Sequence, residues 1–149
     1  MLITEATLED IPELAGLLAI LFAQEADFTP DRHRQQEGLR QIISQPGLGR
    51  IFVLRNTDKL VGMVSVLFSI STALGGRVAV LEDMVVHPEA RGSGLGTALL
   101  QHAITFAQTA GCLRISLLTD TDNTDALRFY ARQGFVLSQM KTLRLALPG

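Results

Sequence analysis

The run Arg91-Gly92-Ser93-Gly94-Leu95-Gly96-Thr97 sits between a β-branched stretch that reads as a strand and an apolar stretch that reads as a helix. The first N–H groups of a helix have no acceptor inside it. Glycines at alternate positions let a ligand reach the backbone without meeting Cβ atoms, and let several N–H groups turn inward. The helix dipole and the charge of Arg91 add attraction for an anion. The chemistry expected of this turn is to hold the pyrophosphate of a nucleotide-tailed cofactor, although a tight connecting loop would use the same residues. Two phosphate motifs do not apply. A Walker loop ends in Gly-Lys-Ser/Thr, and Leu95-Gly96-Thr97 has no lysine. The dinucleotide fingerprint needs a third glycine where Thr97 stands and an acid near Arg114, and too little chain follows Gly96 for most of a doubly wound domain.

The elements around the turn follow from periodicity and punctuation. A first strand at Leu2 to Thr4 leads to Thr7 and Asp10, spaced as a capping box, with Pro12 in the first turn of a helix whose buried face is Ile11, Leu14, Leu18, Leu21 and Phe22. Thr29 and Pro30 read as the cap of a more polar helix ending before Pro46 and Gly47. Ile51 to Arg55 and Leu60 to Ile70 form a hairpin about Asn56-Thr57-Asp58, and Val78 to Val86 adds a third antiparallel strand. Leu95 to Thr109 is a helix apolar on most of its surface, Gly111 ends it, Arg114 to Thr119 resumes the sheet, and Thr124 to Gln133 is a short helix stopped by Gly134. Phe135 to Ser138 and Leu143 to Leu147 are expected to complete the sheet. The expected whole is one α/β domain over residues 1–149 with a mixed, mostly antiparallel sheet flanked by helices.

Composition narrows the function classes. A chain of 149 residues that is 47% hydrophobic must bury a core. Its formal charge of −2 offers no general field for nucleic acid or anionic lipid, and no apolar run reaches a membrane span. One cysteine, Cys112, excludes an intrachain disulfide framework, and the N-terminus lacks an export pattern. A cytoplasmic enzyme is expected. His33, His87 and His102 lack metal spacing, so no metal is expected.

These residues resemble the GNAT family of N-acetyltransferases, whose acetyl-CoA turn reads Arg/Gln-x-x-Gly-x-Gly/Ala and is matched by Arg91, Gly94 and Gly96. A second block, Asn123, Ala126, Tyr130, Gly134 and Phe135, matches the family's Asn-x-x-Ala-x-x-x-Tyr-x-x-x-Gly-Phe without a break in spacing. The resemblance runs from about Val80 to Phe135. It implies a sheet splayed between its fourth and fifth strands, acetyl-CoA entering the split, and backbone pairing of Met84, Val85 and Val86 with the pantetheine arm. It implies that Arg91, Gly92, Ser93, Gly94, Leu95, Gly96 and Thr97 bind the pyrophosphate, with Asn123, Ala126 and Tyr130 also on the cofactor.

Acetyl transfer to an amine needs a base for the proton shed and an acid for the departing thiolate. Glu82, beside the expected thioester, is the candidate base, and its neighbour Asp83 a docking group for the amine. Alternation along a strand sends the two to opposite faces unless a bulge intervenes. A structural pair, one carboxylate in a salt bridge and one in water, would read the same way. Tyr130, the only tyrosine, is the candidate acid, with a core tyrosine as the alternative. Asn123 also suits a helix cap. Phe28, with Arg32, His33 and Arg34, lies where the family shapes its acceptor pocket, and a solvated helix face explains these charges equally. The expected activity is acetyl-CoA-dependent N-acetylation of a small primary amine in a ternary complex, and the resemblance implies a homodimer as one arrangement open to the chain. The alternatives are O-acetylation, another short acyl-CoA, a non-catalytic acyl-CoA sensor, and a protein N-terminus or lysine as acceptor.

Overall fold

A computed structural model of the chain describes residues 1–24 and 31–149. They form two compact units, Met1–Leu118 and Thr119–Gly149.

In the first unit β1 (Leu2–Glu5) precedes a 3-10 turn at Leu8–Asp10 that runs directly into α1 (Ile11–Ala23). Thr7 donates its N–H to Asp10 Oδ2 at 2.8 Å, which anchors the turn where the box was expected. Arg55 then grips the buried Asp10 with both terminal nitrogens, Nη1 to Oδ1 at 3.1 Å and Nη2 to Oδ2 at 2.6 Å. Burial alone would raise this carboxyl, but the donors from Arg55 and Thr7 outweigh it and hold Asp10 below its ordinary value. A depressed carboxyl stabilises the fold above its unfolded value of 3.8 and loses that contribution as the pH falls through the folded one. Asp10→Asn is therefore expected to cost about 2–3 kcal/mol at pH 7. In urea titrations its gap to wild type should narrow once the pH drops below 3.8.

Asp31 caps α2 (Arg32–Ser44), accepting the Arg34 N–H at 3.1 Å. The cap expected at Thr29 and Pro30 lies outside the described residues, as does Phe28. Five strands follow the order β1-β2-β3-β4-β5, with β2 at Gly49–Asn56, β3 at Lys59–Ser71, β4 at Gly76–Val86 and β5 at Ile115–Leu117. Pairing is antiparallel except between β4 and β5. On one face Leu14, Ala15, Leu17, Leu18 and Leu39 from α1 and α2 close over Ile51, Val53, Met63 and Val85. On the other lies α3 (Leu95–Thr109), which buries Leu99, Leu100, Ala103 and Ala107; its Phe106 meets Phe52 edge-on at 5.0 Å. No described helix is long and apolar enough to cross a membrane.

The second unit contains α4 (Thr124–Arg132) and an extended tail. The two closing strands expected at Phe135–Ser138 and Leu143–Leu147 are not formed among the described residues. Their apolar side chains are solvated, with Val136 90% and Leu143 95% exposed. Alternation states which face a strand would bury, but a ladder also needs a partner backbone in register, which the pattern itself does not supply.

Candidate functional site

The site starts from an irregularity in β4. Ser65 of β3 stands opposite Glu82, and Met63 stands opposite Val85, so the two residues Asp83 and Met84 oppose the single Val64. This is a β-bulge, and Asp83 takes a left-handed conformation within it at φ 54°. Strict alternation therefore fails here, and the bulge allowed for in the sequence is present. Because Ile51 and Ser65 are paired, and Ser65 and Glu82 are paired, all three share the sheet face covered by α1 and α2. Glu82 is exposed and Asp83 half-buried. Ser65 is fully buried, and its Oγ has no hydrogen-bond partner among the described residues. Sequence reasoning passed over Ser65, although a lone hydroxyl within the apolar run from Leu60 to Phe68 was the available signal.

The bulge coincides with the end of a strand pair. The β4–β5 ladder runs Ala79↔Ile115, Val80↔Ser116, Leu81↔Leu117 and stops. Beyond Leu81, β4 stays paired to β3 through Val85 and Val86, while its other edge has no β5 partner. That is the expected splay, with β5 limited to Ile115–Leu117. Met84, Val85 and Val86 line this opened edge, Val85 being buried with its side chain in the core.

Beyond Val86 the chain makes a 3-10 turn at Pro88–Ala90, where His87 Nδ1 accepts the Glu89 N–H at 3.2 Å. Arg91 folds back and donates Nε–H to the Val86 carbonyl at 2.8 Å, and Ser93 Oγ–H donates to Ala90 O at 3.1 Å. The turn is thus tied to the end of β4. Gly92 and Gly94 have φ of 85° and 78°, and a Cβ at either would project into open space. Gly94 is the N-cap of α3 and supplies no side-chain acceptor. Ala98 is the first residue to bond back, to Gly94 O at 3.1 Å, so the N–H groups of Leu95, Gly96 and Thr97 precede the helix ladder. Open space, a positive helix end and an exposed guanidinium are what a pyrophosphate requires.

In the second unit Asn123 caps α4, its Oδ1 accepting the Ala126 N–H at 3.1 Å. At the other end Phe135 N–H donates to Tyr130 O at 3.1 Å and Gly134 N–H to Ala131 O at 3.0 Å, with Gly134 left-handed at φ 98°. These two bonds make a Schellman closure, and its usual apolar contact is the Tyr130–Phe135 ring pair at 5.7 Å. The spacing from Asn123 to Phe135 is therefore that of one helix with both ends capped. Burial pushes the Tyr130 hydroxyl up to about 12, so it keeps its proton at working pH. Arg32, His33 and Arg34 are exposed on α2.

The model of the Acetyltransferase (GNAT) family matches residues 15–135. The chain belongs to the GNAT acetyltransferase family. It is an acyltransferase, and acetyl-CoA is the acyl donor of its family. An aminoalkylphosphonate N-acetyltransferase of Salmonella typhimurium is 29% identical over 91% of this chain and 85% of its own length. A glucosamine 6-phosphate N-acetyltransferase of Trypanosoma brucei brucei is 33% identical, over 58% of this chain and 57% of its own. A predicted acetyltransferase of Clostridium acetobutylicum crystallised with acetyl-CoA has the same fold, with a TM-score of 0.78 at 16% identity over 97% of this chain and 95% of its own.

Proposed function

We propose that this GNAT enzyme acetylates the primary amine of a small molecule by direct attack in a ternary complex with acetyl-CoA, residues 1–149 acting as one catalytic domain. The observation that carries the reading is the position of Glu82. It stands at the bulge where the β4–β5 ladder ends, on the strand whose opened edge runs toward the glycine turn.

Arg91 to Thr97 bind the pyrophosphate, and backbone groups of Met84, Val85 and Val86 pair with the pantetheine arm. Glu82 takes the ammonium proton from the acceptor, with Asp83 docking the amine. The freed lone pair attacks the thioester carbon, the C–N bond forms and the C–S bond breaks, the sulfur receives the Tyr130 proton, and the second proton shed by the nitrogen returns through solvent to the Tyr130 phenolate. Asn123 and Ala126 support the cofactor from the start of α4. Tyr130→Phe removes only that proton donor and is expected to lower kcat about tenfold or more while leaving the melting temperature within a few degrees. Full activity in this variant would take Tyr130 out of the chemistry.

The relatives that act on aminoalkylphosphonates and glucosamine 6-phosphate support a small, phosphorus-bearing amine as acceptor. The test is coenzyme thiol release from acetyl-CoA with 2-aminoethylphosphonate, glucosamine 6-phosphate, spermidine and a lysine peptide as acceptors. Amine-dependent release with one of the first two is expected. Release with the peptide alone would move the activity to proteins. Cofactor binding without turnover on any acceptor would favour a sensor.

A further inference from the structure

Ser65 is the one buried side chain among the described residues whose polar atom is left unpartnered. It is 0% exposed in the middle of β3. An unmet hydroxyl at such a depth costs roughly 1–3 kcal/mol, and an alanine would fill the same strand position without that cost. The register makes Glu82 its direct cross-strand neighbour on the same sheet face, a separation of about 4.5–5.5 Å between Cβ atoms. The glutamate stem is long enough to lie back across that gap. The Glu82 carboxylate makes no hydrogen bond or ion pair among the described residues, and an ionised carboxylate accepts but cannot donate. A buried donor without a partner and an exposed acceptor thus belong to directly paired residues at the edge of the bulge.

We propose that Ser65 is a positioning residue for acetyl transfer, its hydroxyl donating to the Glu82 carboxylate when that side chain lies back across β3. The bond fixes the carboxylate on the β3 side of β4, beside the bulge, where it takes the proton of the acceptor ammonium. This inference rests on Glu82 being the base.

The test is a double-mutant cycle of Ser65→Ala and Glu82→Gln, read by acetyl-CoA turnover with whichever of 2-aminoethylphosphonate and glucosamine 6-phosphate is acetylated, and by thermal melting. Ser65→Ala is expected to lower kcat about tenfold, the worth of one hydrogen bond to a charged group. It should leave the KM for acetyl-CoA within about twofold, and the melting temperature equal to wild type or higher. In the Glu82→Gln background the same change should have no further effect on kcat. Ser65→Thr keeps the hydroxyl and should recover most of the rate.

An unchanged kcat in Ser65→Ala, or an equal loss in both backgrounds, overturns the inference while leaving Glu82 as the base. A fall in rate that tracks a fall in melting temperature makes Ser65 a packing residue, which also overturns it. Wild-type turnover in Glu82→Gln instead removes the base on which the inference stands, so the two failures are distinct.

Discussion

Glu82→Gln is expected to lower turnover by about 10²-fold near neutral pH, with the melting temperature little changed. A positioned general base contributes typically 10²–10⁴-fold, and glutamine keeps the shape while losing the proton acceptor. The deficit should depend on pH. Well below the pKa of the acceptor amine nearly all of it is ammonium, and each turnover needs a proton removed at the site. As the pH rises the free amine grows tenfold per unit and arrives already deprotonated, so the variant should approach wild type. The kcat/KM profiles of both enzymes, measured on one acceptor, check this. Parallel profiles would return Glu82 to a structural role, and the exposed side chain at the bulge would then need another explanation.

Gly94→Val should weaken coenzyme A binding by on the order of 10²-fold, the equivalent of losing one or two charge-assisted hydrogen bonds to phosphate. The added side chain points into the open space in front of α3, where the pyrophosphate is expected. A stability cost accompanies it, because φ is 78° at this position and a β-branched residue resists the left-handed region. That strain is about 1–2 kcal/mol, or a fall of roughly 3–8 °C for a chain of this size. Calorimetric titration with coenzyme A, run at a temperature where both proteins are folded, separates the two effects. Unchanged affinity with a lowered melting temperature would make the glycine turn a connector and remove the cradle from the mechanism.

Features whose causes lie within a few residues were legible in the sequence. The helix Leu95–Thr109 begins and ends where its apolar pattern and the neighbouring glycines put it. Gly92 and Gly94 are left-handed in the expected turn before α3, and Gly111 and Gly134 are left-handed where the sequence ends its helices. The Asn123 to Phe135 spacing is a local capping pattern as well as a family motif, which is why it could be recognised before any fold was known. The splay was legible by resemblance.

Tertiary structure decided what depends on pairing distant segments. Which residue of β3 opposes Glu82 is set by a register of seventeen positions' separation, and one extra residue at Asp83 and Met84 reverses the alternation that a reader of β4 alone would apply. The same pairing makes Ser65 a neighbour of Glu82. The return of Arg91 to the Val86 carbonyl depends on the path of the turn and not on the arginine itself. The tail after Phe135 has an alternating pattern but forms no strand among the described residues, and a pattern can specify a face without supplying the backbone to pair with it. Short-range steric and capping preferences are written into neighbouring residues; register is a property of two strands at once, and only the folded sheet contains it.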